Sequence, residues 1–236
     1  MENLIYMENT IKYILTDIEG TTTSIDFVHK ELFPYFVEHI DLLRTTLSQD
    51  PKIIKALEAV KATVLEEEGI VLEREFCIDK LVYWCQTDRK HPALKEAQGI
   101  VWKLAYEKGE VKGHFYEDVL PALQSWTAQG LKLGIYSSGS VGAQKLIVAY
   151  SIFGDISAYF SNYFDTAVGH KREIQSYQNI QQSLNIPAEN ILFLSDITQE
   201  LDAAKAAGMQ TIQLVRNAPV TDSIHTQVSS FAQIKL

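Results

Sequence analysis

Tyr13-Ile14-Leu15-Thr16-Asp17-Ile18-Glu19-Gly20-Thr21-Thr22-Thr23 is the stretch on which the fold turns. An apolar run stops on a carboxylate, a second carboxylate follows two residues later, and a glycine and three threonines come next. A short apolar run bounded by turn residues reads as a buried strand of a parallel sheet. In open α/β sheets ligands bind beyond the carboxyl ends of such strands, where Asp17 projects. Gly20 allows a sharp turn, and the threonines offer hydroxyls and amides to an anion. A carboxylate so placed can be a nucleophile, a ligand for a hard cation, or both. The plainer alternative is a strand-ending aspartate that caps the next turn.

Other apolar runs end in the same way. Leu131-Lys132-Leu133-Gly134-Ile135-Tyr136 leads into Ser137-Ser138-Gly139-Ser140, and Ile191-Leu192-Phe193-Leu194 leads into Ser195-Asp196. Asp17, Glu19 and Asp196 are thus expected along one sheet edge, where three carboxylates repel unless a cation or protons intervene. Mg2+, which takes oxygen ligands and retains water, would relieve that repulsion. Ser137, with the Ser138 and Gly139 amides at the start of a helix, suits an anion, although a plain cap is the simpler reading. Lys171, in Gly169-His170-Lys171, is expected at another helix start, where the dipole disfavours it. A bound phosphate would compensate; an exposed lysine tolerated at small cost is the alternative.

Composition narrows the class. The 236 residues suffice for a core domain with an insert, and 46% hydrophobic with 22% charged content is ordinary for a globular chain. A net charge of -9 argues against a nucleic-acid partner, which needs a basic face. Cys77 and Cys85, eight apart in an expected helix, suit neither a disulfide nor a metal site and read as structural thiols in a reducing cytosol. Residues 1–9 lack the apolar core of a signal peptide, and their repeated Met-Glu-Asn suggests an alternative start at Met7. No run of about 18 apolar residues predicts a membrane span.

Between residues 27 and 110 the periodicity is helical, with Phe27, Leu32, Phe33, Phe36, Val37, Ile40 and Leu43 first. Helices over 52–68, 73–88 and 92–108 follow, the first opened by Asp50-Pro51. From 116 onward helices (116–129, 140–150, 171–184, 198–207) alternate with strands (131–137, 190–195, 210–215) and a weaker segment at 158–168. Alternation of this kind predicts an α/β fold, a doubly wound Rossmann-like parallel sheet. The expected domains are a core of residues 1–25 and 111–236 and an inserted all-helical cap of residues 26–110. The polar tail after Asn217 is expected to pack loosely. His29, Phe33, Tyr35, Trp84 and Trp102 are candidates by type for substrate recognition by the cap, but read first as packing or interface residues.

A strand ending in acid-x-acid-Gly-Thr, a second ending in serine, a lysine, and a third ending in an acid resemble, in that order, the haloacid dehalogenase (HAD) superfamily of phosphotransferases. More narrowly, Asp17 to Ile25, Phe27-Val28-His29, Leu32 to Tyr35, Lys112 to Val119, Tyr136 to Val141 and Gly169-His170-Lys171 resemble the enolase-phosphatases of methionine salvage. The resemblance runs from about residue 11 to 217. It implies that Asp17 attacks phosphorus and forms an aspartyl-phosphate that water hydrolyses. Glu19, in place of the superfamily's usual aspartate, becomes a general acid/base or a Mg2+ ligand. Asp17, Glu19 and Asp196 are the implied metal ligands, with Lys171, Ser137 and Ser138 on the phosphate. The implied substrate is 2,3-diketo-5-methylthiopentyl-1-phosphate, enolised and then dephosphorylated to the acireductone, with Glu19 or a cap residue as the enolisation base. A cytoplasmic monomer, with nuclear presence open in a eukaryote, is expected.

Two other readings fit the same residues. An ordinary HAD phosphatase would release phosphate without forming an enediol, and a signalling receiver domain would accept phosphate without turnover. Glu200, four residues after Asp196, is a candidate outer acid but reads first as a helix-surface glutamate, as does Asp202.

Overall fold

The computed structural model describes residues 4–6 and 10–236. The repeated Met-Glu-Asn at 1–3 and 7–9, and with it the expectations about a leader and a start at Met7, lies outside the described residues. In chain order the strands are β1 (Ile5–Tyr6), β2 (Tyr13–Thr16), β3 (Lys132–Tyr136), β4 (Phe160–Phe164), β5 (Ile191–Ser195), β6 (Gln210–Leu214), β7 (Thr226–Val228) and β8 (Ile234–Lys235). The helices are α1 (Phe33–Glu38), α2 (Pro51–Glu68), α3 (Arg74–Gln86), α4 (Pro92–Lys108), α5 (Val119–Ala128), α6 (Val141–Ala149), α7 (Ile174–Leu184) and α8 (Thr198–Ala206).

Six strands form one parallel sheet in the order β4-β3-β2-β5-β6-β7, and β1 pairs with β8 in a separate two-stranded ribbon. All four residues of β2 and all five of β5 are buried, as a parallel strand covered on both faces requires. On one face Tyr13, Leu15, Tyr136 and Phe193 pack against Tyr177 and Ile180 of α7 and Leu201 of α8. The chain moves outward from β2 through β3 to β4, then returns to β5 and moves outward again to β7. That reversal beside β2 is the topological switch point at which such sheets bind ligands. At Gly134 a Cβ would stand 2.0 Å from the Tyr13 hydroxyl, which donates instead to Asn162 Oδ1 at 3.0 Å.

Two compact units are present, one of residues up to Ile25 together with Gly113–Leu236, the other Asp26–Lys112. The second is all helical and has its own core: Phe36, Leu43, Ile53, Leu57, Val60, Val64, Ile78, Leu81, Trp84 and Val101 are buried together with the free thiols of Cys77 and Cys85. Asp50 caps α2 by accepting from the Lys52 and Ile53 amides, with Pro51 in the first turn. The Trp102 indole donates to Leu32 O at 2.9 Å, and its ring stacks on Phe33 at 6.3 Å.

Three expectations change. The helix anticipated from residue 27 is broken into a π-helical turn (Phe27–Leu32), the short α1 and a 3-10 turn (Ile40–Leu43). The wide turn ends against Pro34, which has no N–H to continue the i→i−4 ladder, and Phe33 N–H reaches back to Val28 O. Helix α7 starts at Ile174, so Lys171 lies in the preceding loop. The tail does not pack loosely: Val228, Phe231 and Ile234 are buried, β7 adds the sixth strand, and Phe231 lies against Trp126 at 5.4 Å. Its few apolar residues are spaced among polar ones, so composition hid a docked edge.

Candidate active site

The β2 ladder extends one residue past the strand, with Asp17 N–H donating to Leu194 O at 2.9 Å. This holds Asp17, 3% exposed, at the carboxyl end of the sheet. Its Oδ1 accepts from Ile18 N–H at 2.8 Å and lies 2.6 Å from Lys171 Nζ. The chain then turns tightly: the amides of Thr21, Thr22 and Thr23 all point at Ile18 O, at 3.2, 2.9 and 3.0 Å. Gly20 has φ +77°, and a Cβ there would fall 2.2 Å from Asp196 Oδ2. The threonine amides, expected to face an anion, are spent inside the loop, and the three hydroxyls bond other protein groups. Thr22 Oγ1 donates back to Asp17 O and Ile18 O, and Thr23 Oγ1 meets His114 Nδ1 at 2.7 Å.

Asp196 follows β5, the neighbour of β2, so the two aspartates end adjacent strands. Thr21 Oγ1 accepts from Asp196 N–H at 3.0 Å and donates to Asp196 Oδ1 at 3.3 Å. Burial, then the charge of Asp17, pushes the Asp196 carboxyl up to about 6. Buried Gln213 donates to Asp196 O at 2.9 Å and fixes the loop from behind.

Lys171, 6% exposed, is held by the loop that carries it. Tyr136 donates to Gly169 O, Ser176 to His170 O and Tyr177 to Lys171 O, at 2.9, 2.7 and 2.7 Å. Gly169 must be glycine, since a Cβ at its φ of +132° would meet Ser176 Oγ at 2.2 Å. The ammonium bridges Asp17 and Glu200, the latter at 2.7 Å. Burial works to lower the proton affinity of Lys171, but the two carboxylates more than offset it and keep the lysine charged.

Glu200, read from sequence as a surface residue, is 8% exposed and also accepts from Ser195 Oγ at 3.0 Å. It stands in the first turn of α8, four residues after Asp196, and that acid-x-x-x-acid spacing is the signal that could have singled it out. Burial, then Asp17, raises it to about 7 despite the ion pair with Lys171. Asp202, two residues on, has a half-exposed side chain and pairs with His225 Nε2 at 3.0 Å.

Ser137, fully buried after β3, donates to Glu19 Oε2 at 3.0 Å and accepts from Gly139 N–H at 3.0 Å. Helix α6 starts only at Val141, with Ser140 as its cap through the Ala143 amide. Ser138, half-exposed, is on the connecting turn. Gln144, buried on α6, donates to Gly139 O and Phe164 O, both at 2.8 Å. Glu19 is raised by burial and by Asp17, against its own backbone amide, Lys171 and Ser137.

Four carboxylates (Asp17, Glu19, Asp196 and Glu200) are gathered here. Among the described residues the cation in ion-pair contact with them is Lys171. The surplus of negative charge and the raised proton affinities fit a divalent cation. Among the described residues no group of three or more His, Cys, Asp or Glu is arranged to hold a metal ion. Two carboxylates with water and substrate oxygens suit Mg2+ better than a full protein cage does.

The chain is similar to known proteins over nearly its whole length. The haloacid dehalogenase-like hydrolase family matches residues 11–208. Enolase-phosphatase E1 of Erwinia tasmaniensis is 50% identical over 224 residues, covering 95% of this chain and 96% of the relative. The chain belongs to the enolase-phosphatase E1 family of the haloacid dehalogenase-like hydrolases. Enolase-phosphatase E1 of a Picosynechococcus species is 47% identical, covering 95% of this chain and 98% of that one. The crystal structure of Unknown transcript 4 protein from Saccharomyces cerevisiae superposes with a TM-score of 0.76 at 33% identity, covering 93% of this chain and 98% of its own. Membership of this enolase-phosphatase family makes the chain a hydrolase of the phosphatase kind.

Proposed function

We propose that the protein is a bifunctional enolase-phosphatase that converts 2,3-diketo-5-methylthiopentyl-1-phosphate to its acireductone and phosphate in methionine salvage. The observation that carries this reading is the convergence of Asp17 and Asp196 from adjacent strand ends, with Lys171 bonded to Asp17. Family membership across nearly the whole chain supports the same substrate.

Asp17 is the nucleophile. Its Oδ1 is occupied by Lys171 and the Ile18 amide, which leaves Oδ2 to attack phosphorus. The bond from phosphorus to the substrate's terminal oxygen breaks, and Glu19, whose carboxyl is kept protonatable by burial, gives that oxygen a proton. Glu19 then draws a proton from the water that hydrolyses the aspartyl-phosphate. Lys171 and the Ser137–Ser138 turn neutralise and orient the phosphoryl oxygens. Asp17 and Asp196 would hold Mg2+, with water and substrate oxygens completing its shell, while Glu19, bonded to Ser137, serves proton transfer rather than the metal; the ion would supply charge neutralisation and polarise the carbonyl for enolisation. Glu19 or a residue of the helical unit removes the proton in that step.

We assign residues 26–110 to the cap that selects the thioether tail, and residues 1–25 and 111–236 to the phosphatase core. The free, buried thiols of Cys77 and Cys85 are consistent with work in a reducing cytoplasm, and we carry the monomeric state and nuclear access in a eukaryote as part of the same proposal. Among the described residues no helix is long and apolar enough to cross a membrane.

The test supplies the diketo phosphate with and without Mg2+ and follows ultraviolet absorbance and free phosphate together. An absorbing enediol and more than one equivalent of phosphate are expected, and Asp17→Asn abolishes phosphate release. Phosphate without the enediol would leave an ordinary phosphatase; a normal Asp17→Asn turnover would overturn the nucleophile.

A further inference from the structure

We propose that Arg216 is a positioning residue for phosphoryl transfer, acting through Thr21 on both the Asp17 loop and Asp196. Arg216 lies just past the end of β6, at the same sheet edge as the acids. Its Nε and Nη2 both donate to Thr21 O, at 3.0 and 2.6 Å. Its Nη1 donates to both oxygens of Asp118, at 3.0 and 2.8 Å, and to Ser229 O at 3.2 Å. Tyr116 and Phe231 flank the guanidinium at 4.2 and 5.2 Å, and the side chain is 8% exposed.

A surface ion pair of this kind would contribute little, but a stacked, buried fork is geometrically fixed. Asp118 and the Ser229 carbonyl already satisfy the charge and tie down the tail, through Ser230 Oγ and the Phe231 amide on Asp118 as well. The double contact to Thr21 O is not needed for that purpose. Its consequence is local: Thr21 presents its carbonyl outward to Arg216 and its hydroxyl inward, where it grips Asp196 at both N–H and Oδ1. The Tyr116 amide holds the next carbonyl, Thr22 O, at 3.0 Å. Arg216 therefore sets the position of Asp196 relative to Asp17 without touching either, and the C-terminal tail becomes part of the site's support.

This inference rests on Asp17 as nucleophile and is tested separately from it. Arg216→Lys keeps the charge and loses the fork. Its kcat on the diketo phosphate is expected to fall roughly 10- to 100-fold, as a small misplacement of reacting groups does. KM should stay within about two-fold, because groups that touch substrate are unchanged. Hydrogen exchange at the Thr21–Thr23 amides should accelerate while exchange in β2 and β5 does not. A purely structural role would move melting temperature and leave this split absent. Asp118→Asn, which removes the charge and one of the two carboxylate acceptors facing Nη1, should show the same pattern at smaller size and carries the test if Arg216→Lys does not fold. Unchanged kcat and unchanged loop exchange in the variant that folds would overturn the proposal. Phosphate release by Asp17→Asn would sink the nucleophile instead; an inactive Asp17→Asn beside a normal Arg216→Lys would sink this inference alone.

Discussion

Lys171 Nζ stands 2.7 Å from Glu200 Oε2, joining the loop before α7 to the first turn of α8 beneath Asp17. The lysine is thereby held between two carboxylates, so it is already oriented before a phosphate arrives. Replacing Glu200 by glutamine keeps one oxygen acceptor and removes the charge. Phosphate release is expected to slow roughly ten-fold, and Lys171→Met to lose about 100-fold or more, since a donor to the transferred group goes with it. Steady-state phosphate assays on both variants decide this; equal activity of Glu200→Gln and the parent would show that the pair does not position Lys171.

The raised acids make stability depend on pH in a definite direction. Glu200 at about 7 and Asp196 at about 6 lie above the ordinary carboxylate value of about 4, for reasons of burial and then of Asp17. Between those limits the folded protein binds more protons than the unfolded chain, so these groups favour the fold most at low pH and their contribution falls as pH rises. The metal-free melting temperature should decline from pH 5 to 7.5, less steeply in Glu200→Gln, and Mg2+ should restore more at pH 7.5 than at pH 5. Calorimetry across this range is the measurement, and an identical slope in Glu200→Gln would contradict it.

Gly20→Ala combines a left-handed backbone with a methyl group driven to 2.2 Å from Asp196 Oδ2. A loss of about 1–3 kcal/mol in denaturant unfolding is expected from the backbone and contact strain. Phosphatase activity should fall further than stability does, roughly 100-fold, because Asp196 must move. Retained activity would mean that the loop can withdraw from Asp196 without consequence.

Phe231→Ala tests the docked tail. The ring is 1% exposed and packs against Trp126 and Arg216. Removal of a buried phenylalanine costs about 3–5 kcal/mol. A clear drop in the denaturation midpoint is expected; a change of less than about 1 kcal/mol would mark the tail as loosely held after all.

The contrast between Asp17 and Glu200 shows where the sequence stopped being informative. Strands β2, β3 and β5 were readable because a strand buried on both faces must be continuously apolar, and a polar residue at its end is conspicuous. Helical periodicity was equally plain in α2 and α4, down to the Asp50-Pro51 start of α2. Glu200 shares its helix with an ordinary surface acid, Asp202, and it is the neighbouring Lys171 loop that turns its position into a buried one. Arg216 and the tail were missed for a related reason: single apolar residues such as Phe231 carry no period to read.

The amino-acid order by itself determined the parallel α/β core, the helical segment set into it, and the acids and serines that finish its strands, since local pattern and burial fix these. Tertiary structure alone decided which of those groups touch. Lys171 meets Asp17 and Glu200, Ser137 meets Glu19, and Arg216 grips Thr21. Those contacts join residues far apart in the chain, and their distances depend on how strand ends and loops are stacked in space, which no local pattern encodes.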